Sequence, residues 1–293
     1  MPYNMIVLAK QVPDTKNITC EAMKEDGTVN RSALPAIFNP EDLNALEMAL
    51  RVKEQHGGHV TVITMGPPPA AELLRESLMR GADAAILVSD RRFAAADTLA
   101  TAYALGCAVN KVGPYHMILC GRQAIDGDTA QVGPQLAGKL NIPQVTYVEE
   151  IRELSGNAIT ARRNIEGGYE LVQTRLPALL TVVGTANEPR PPAAKRLLHF
   201  KKARTATEVR RATQGEAAEK EIERLADLGL LIREWSVEDI SADEGSCGIA
   251  GSATRVMKIQ SIVLTAGSHK TVAATRDGIA ALIRELVEDH AIG

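Results

Sequence analysis

Aromatic residues are scarce in this chain: five Tyr, three Phe and one Trp among 293 residues. Surfaces that stack nucleic-acid bases are built from such rings, so single-strand binding of that kind is excluded. Cysteines are few as well. Cys20, Cys107, Cys120 and Cys247 lie far apart, with no C-x-x-C pair. No zinc or iron–sulfur centre supplied by this chain is expected, and the sparse thiols fit a reduced, cytoplasmic compartment. Cys107 and Cys120 sit in apolar patterns and read as packing positions. No apolar run approaches the roughly 20 residues that span a bilayer, so no transmembrane segment is expected. The N-terminus has no apolar segment behind a basic start, as a secretory signal would. The net charge of −3 excludes a whole-protein electrostatic footprint on nucleic acid or anionic membrane.

Catalytic constellations are missing too. The six histidines, His56, His59, His116, His199, His269 and His290, show no metal-ligand spacing. His116 precedes an apolar run and reads as structural. Neither G-x-S-x-G nor the P-loop pattern G-x-x-x-x-G-K-[ST] occurs. A binding site without a protein nucleophile or base points to a bound cofactor that carries the chemistry.

What is present is a core. The chain is 45% hydrophobic, and with so few aromatics Val, Ile, Leu and Ala must fill its interior. Near-continuous apolar runs at residues 3–9, 59–65, 84–88 and 117–120 read as buried strands. Helical periods at about 41–55, 70–79 and 98–112 lie between them. This alternation predicts an α/β fold, a doubly wound, mostly parallel sheet. Residues 14–38 read as a small hairpin or surface excursion with a turn at Asp26-Gly27, and residues 143–148 as a further strand. Residues 158–163 and 169–174 flank Gly167-Gly168 as a hairpin, and residues 177–183 read as the last buried strand. Composition then changes. Residues 187–192, NEPRPP, read as a linker, and residues 195–211 are strongly basic. That basic run is a solvated face, a docking surface for an acidic partner, or a nucleic-acid site. The last is disfavoured by its single aromatic, Phe200, and the acidic whole chain. A strand is expected at residues 258–264. An amphipathic helix is expected at 272–289, with Ile279, Leu282, Ile283 and Leu286 on one face. The division is thus an α/β domain at residues 1–186 and a tail at 187–293 that packs on another surface.

In parallel sheets ligands bind beyond the carboxyl ends of the strands. Four segments occupy those ends: Ala9-Lys10, Met65-Gly66, residues 89–98 and residues 121–128. The stretch 117–140 is the most informative: a short strand, a loop rich in Gly and Asp, then a helical pattern expected to open at Thr129 with Asp128 or Thr129 as its cap. Gly121 and Gly127 permit tight turning or close approach of a ligand. Asp126 and Asp128 are a possible carboxylate pair, but in such a loop they also read as caps, turn residues or ribose ligands. The stretch reads either as a nucleotide-phosphate site or as an ordinary strand-to-helix turn.

Several segments together resemble the beta subunit of electron-transfer flavoproteins: VLAKQVPDT, NPEDLNALEMALRVKE, GADAAILVSDRRFAAADTLATAYALG, CGRQAIDGDTAQVGPQLA and TANEPRPP. The resemblance covers nearly the whole chain. It implies an adenine-nucleotide-binding α/β fold, a heterodimer with an alpha subunit, and a site holding AMP or a second FAD. By motif match, Ala9, Met65 and Gly66 lie on the adenine side. Asn39, Pro40, Glu41 and Asp42 start the helix beside the nucleotide. Gly121, Arg122, Gln123, Ala124, Ile125, Asp126, Gly127, Asp128, Thr129, Ala130, Gln131 and Val132 wrap ribose and phosphates.

The loop IDGDTAQVG, with Gly127 leaving room, and the segment DRRFAAADTLAT resemble the bifurcating or nitrogen-fixation-associated branch. That branch holds FAD, with Asp97, Thr98 and Thr101 near the flavin or its phosphates. Its implied partners are NADH, a low-potential acceptor such as ferredoxin, and an acyl-CoA dehydrogenase-like or quinone-oxidoreductase protein. The alternatives are a simple carrier binding structural AMP and a non-redox adenine-nucleotide module. The chain departs from the family pattern in two places. The recognition loop's apolar anchor position holds Ala193 or Ala194, and Ala253 stands where most relatives have Pro.

Overall fold

Strand β1 (Tyr3–Leu8) is buried at every position except Asn4. Its side chains divide between two cores: Tyr3, Met5 and Val7 enter one, Ile6 and Leu8 the other. Successive strand side chains point to opposite faces, so a strand covered on both sides must be apolar throughout. The computed structural model describes residues 1–14, 34–254 and 271–288. Cys20, the Asp26-Gly27 turn and the strand expected at 258–264 lie outside the described residues.

After β1, a small antiparallel pair forms from β2 (Gln11–Pro13) and β3 (Ala36–Phe38). Helix α1 (Pro40–His56) starts with proline in its first turn, where the fixed φ is already helical. Glu41 and Asp42 there complement the helix dipole. The alternation continues through β4 (Gly58–Met65), α2 (Ala71–Arg80), β5 (Ala84–Val88), α3 (Thr98–Val112), β6 (Met117–Gly121) and α4 (Val132–Leu140). An antiparallel ribbon follows, β7 (Gln144–Ser155), β8 (Ala158–Ile165) and β9 (Gly168–Arg175), and the chain re-enters the parallel sheet at β10 (Ala178–Val182). Helices α1 and α2 cover one face through Leu46, Ala49 and Leu74. The other is covered by α3 and α4 through Ala104, Ala108 and Leu136. The sheet is therefore doubly wound, as expected.

Residues 177–183 are not the last strand of this sheet. Beyond them come α5 (Ala194–Phe200), β11 (Arg204–Thr205), α6 (Ala206–Ala212), α7 (Glu216–Asp227) and β12 (Leu231–Trp235). Strand β12 pairs in parallel with β5 from Arg233 opposite Ile86 to Trp235 opposite Val88. The ten-stranded order is β11-β12-β5-β4-β1-β6-β10-β7-β8-β9. An apolar-run criterion finds strands in the sheet's middle and misses β12, which carries Arg233 and Glu234 near the edge. The short α8 (Gly248–Gly251) and α9 (Arg276–Glu288) complete the described chain. Helix α9 buries no residue and leaves Ile279, Ile283 and Val287 exposed. Among the described residues no helix is long and apolar enough to cross a membrane.

Sheet order reverses at β1. The chain builds outward through β4 and β5, then crosses to the other side with β6. The carboxyl ends of β1 and β6 thus flank a topological switch point, where open α/β sheets form their ligand crevice. Because Ile232 is buried in the shared core, Ile232→Ala is expected to cost about 2–4 kcal/mol. The measurement is a shifted urea midpoint for the whole chain; an unchanged main transition would show that β12 folds independently of the sheet.

Candidate functional site

The switch point is closed by one buried carboxyl. Asp42, in the first turn of α1, accepts the Lys10 amide from the end of β1 at 2.9 Å and the Gly121 amide from the end of β6 at 2.7 Å. Gly121 is required for this approach: a Cβ there would lie 2.6 Å from the Asp42 carboxylate and 2.8 Å from its backbone nitrogen. Burial pushes the Asp42 carboxyl from its ordinary 3.8 up to about 7, against the opposing pull of the Gly121 and Lys10 amides.

Asn39, fully buried, fixes the next stretch of the loop. Its side chain donates to the Gln123 carbonyl at 2.9 Å and accepts the Ile125 amide at 3.2 Å. Glu41 accepts the Gln123 amide at 3.0 Å and pairs with Arg122 at 3.0 Å. Lys10 reaches across to Asp126 at 2.7 Å. Side chains at the start of α1, with Lys10 at the end of β1 and the Val182 carbonyl that accepts the Arg122 amide at 2.9 Å, therefore hold the loop from Gly121 to Asp126.

The loop's second half differs from expectation. Helix α4 opens at Val132, and neither Asp128 nor Thr129 caps it. Left-handed backbone at Asp128 (φ 49°) and Ala130 (φ 53°) keeps this stretch out of the helix. Asp128 instead accepts from the Gln123 side chain at 2.9 Å, and Gln131 accepts from the Thr98 hydroxyl at 3.0 Å. This leaves the amides of Thr129, Ala130, Gln131, Val132 and Gly133 with no hydrogen-bond acceptor among the described residues. Such amides at a helix start suit an anion. A Cβ added at Gly127 meets nothing within 4 Å, and its φ is not left-handed, so open space lies beside it.

Thr98 joins the loop through Gln131, whereas Asp97 is committed elsewhere. One Asp97 oxygen caps α3 at the Ala100 amide, 3.0 Å, and the other accepts the Thr254 amide at 2.9 Å. Its own amide donates to Ser252 at 2.8 Å. The Gly/Ser segment before residue 255 is thereby latched to the start of α3. Ala9 is buried at the β1 terminus and spends its amide on Ile63. Gly66, after Met65, spends its amide on Val88. Pro40 is exposed beside the buried pair Asn39 and Asp42, and Thr101 bonds back to Asp97 within α3.

Two features are not legible in the sequence. Lys10 lies at a strand end facing the crevice, but its pairing with Asp126 across the loop is not marked. Tyr147, half exposed with a left-handed φ of 58°, sets its ring 5.6 Å from the Arg122 guanidinium. Nothing in PQVTYV signals that kink, because it arises where β7 slips register against β10.

Fold and crevice define a doubly wound α/β protein with a candidate crevice at its switch point, between the carboxyl ends of β1 and β6. The chain belongs to the electron transfer flavoprotein family, whose domain, described as "Electron transfer flavoprotein domain", matches residues 26–227. It is 38% identical to the electron transfer flavoprotein subunit beta of Clostridium acetobutylicum, over 99% of this chain and 100% of that protein. It is 40% identical to subunit CarD of the caffeyl-CoA reductase-Etf complex of Acetobacterium woodii, over 98% and 99%. To protein FixA of Azorhizobium caulinodans it is 41% identical, over 87% and 83%. It is therefore a beta-subunit-type member with a role in electron transfer.

The folded state holds the Asp42 proton more tightly than the unfolded chain does. This group's contribution to stability therefore falls as pH rises from about 4 to about 7. Asp42→Asn turns one acceptor into a donor facing an amide and is expected to cost roughly 1–3 kcal/mol. The gap from the parent should narrow across that pH window in denaturant unfolding. A gap independent of pH would show that Asp42 titrates elsewhere.

Proposed function

We propose that this chain is the beta subunit of an electron-transfer flavoprotein heterodimer whose crevice between β1 and β6 holds FAD. The observation that carries the reading is the run of acceptorless amides from Thr129 to Gly133, beside the open space at Gly127. Amides at the start of α4 suit dinucleotide phosphates. The room at Gly127 favours FAD over the smaller AMP. A bound FAD supplies electron exchange among NADH, the FAD of the alpha subunit, an acyl-CoA dehydrogenase-like partner and a low-potential acceptor such as ferredoxin: flavin-based electron bifurcation.

The chain's own residues bind and orient. Asn39, Glu41 and Asp42 hold the loop rigid, so its amides are aimed before the ligand arrives, which lowers the cost of binding. Thr98 and Gln131 tie the starts of α3 and α4 together beside it. Partner identity is supported by two relatives, named as subunits of a caffeyl-CoA reductase-Etf complex and of an acryloyl-CoA reductase. Within residues 187–293, the NEPR strap and α9 face those partners in this reading. The NEPR strap is pinned to α1 by Asn187 on Asn44 and by Arg190 on Glu47 at 2.7 Å. The bare apolar face of α9 suits the alpha subunit.

The test is the visible spectrum and released nucleotide of the co-purified alpha/beta complex. Two FAD per heterodimer is the expected result. One FAD with released AMP assigns the simple carrier, and a colourless complex without nucleotide overturns both. Gly127→Leu has room to fold and is expected to lose the beta-site nucleotide while the alpha FAD stays. Full occupancy of both sites in that variant would move the nucleotide out of this crevice.

A further inference from the structure

Asp42 is buried beside the crevice, yet no Lys, Arg or His side chain pairs with it within 4 Å among the described residues. The nearby cations are spent on other carboxylates: Lys10 on Asp126 at 2.7 Å and Arg122 on Glu41 at 3.0 Å. The other groups around it offer no countercharge. Asn39 and Glu41 face it from its own helix, and Glu41 acts on it as a like charge. From β1 it receives the Lys10 amide, and from β6 the Gly121 amide. Behind Gly121 lies the buried Cys120, whose thiol is pushed up by burial and by the charge on Asp42.

This carboxyl is close to the open amides. Cys120 sets its Sγ against the start of α4, where a Cβ at Gly133 would lie 2.9 Å from it. The end of β6 is therefore all that separates Asp42 from the acceptorless amide of Gly133. An anion brought to those amides meets a second anion across a gap of low dielectric. Like charges that share such a site hold a proton more tightly. Protonation keeps the junction intact. Each carboxyl oxygen has two lone pairs, so both amide bonds survive when one oxygen gains a hydrogen.

We infer that Asp42 is the proton partner of the crevice: when a dinucleotide diphosphate settles on the amides at the start of α4, the Asp42 carboxylate takes up one proton from solvent. One O–H bond forms at the carboxylate, and the solvent acid that supplies the proton is left as its conjugate base. The inference rests on the reading of this crevice as a nucleotide site, and it makes Asp42 a positioning residue whose charge answers that of the ligand. The sign follows from linkage. Without ligand the carboxyl is half protonated at about pH 7, and the bound anion holds it protonated to higher pH. Affinity is therefore level below that pH and falls above it, by up to about tenfold per pH unit while the bound form keeps its proton.

The probe is FAD, whose diphosphate keeps its charge across this range. It is titrated calorimetrically into the alpha/beta complex stripped of its beta-site nucleotide with the alpha FAD retained, in buffers of different ionisation enthalpy just above pH 7. The parent is expected to show a measured enthalpy that follows the buffer, reporting proton uptake, and an affinity that weakens about tenfold from pH 7 to pH 9. Asp42→Asn should show neither dependence. An infrared difference spectrum of the parent, which needs no variant, should gain a protonated-carboxyl band when FAD is added. Binding without proton uptake in the parent, equal uptake in Asp42→Asn, or no such band overturns the inference. Failure of the stripped parent to take up FAD, or full uptake by Gly127→Leu, counts against the crevice assignment instead. FAD uptake that Gly127→Leu abolishes, with no proton taken up by the parent, counts against Asp42 alone.

Discussion

One buried carboxyl organises this molecule's functional edge. Asp42 accepts amides from the ends of β1 and β6, the two strands between which the sheet reverses direction. Burying a carboxyl is costly unless its oxygens are hydrogen-bonded, and both are. Bringing α1 this close demands the bare Cα of Gly121, where any side chain would strike the Asp42 carboxylate. Helix, strand ends and loop are therefore set by a single junction, and everything offered to a ligand hangs from it.

The consequence is a loop with two unlike halves. From Gly121 to Asp126 its polar groups are spent on Asn39, Glu41, Asp42 and Lys10. From Thr129 to Gly133 the amides are left without acceptors. The rigid half aims the open half, so the loop's contribution is one of position and electrostatics. The second latch, Asp97 between α3 and residues 252–254, brings the tail to the same edge from the other side.

The opposite edge is organised by a different constraint. Strands β11 and β12 extend the sheet past β5, and their connecting helices cannot all pack on one another. Helix α5 packs on α2, while α6 and α7 pack together over β12. The gap between these two groups carries exposed leucines and cations with no ion pair among the described residues. This gap and the loop held by α1 lie at opposite ends of the same strands.

The amino-acid sequence by itself determined the parallel α/β class, the bounds of β1, α1, β4, α2, β5 and α3 to within a residue or two, and the segments that meet at the switch point. Burial on both faces forces continuous apolar runs, and those are readable locally. Residues 98–112 and 84–88 were bounded as the structure bounds them. Only the tertiary structure decided the late strand β12, whose polar residues mask it. It alone moved the start of α4 from Thr129 to Val132, because the left-handed turns at Asp128 and Ala130 arise from a loop fastened elsewhere. The roles of Asn39 and Asp42 likewise came from partners about 80 residues away in the chain. Which side chain meets which amide across such distances depends on strand order, and strand order is a property of the folded sheet, not of any local stretch.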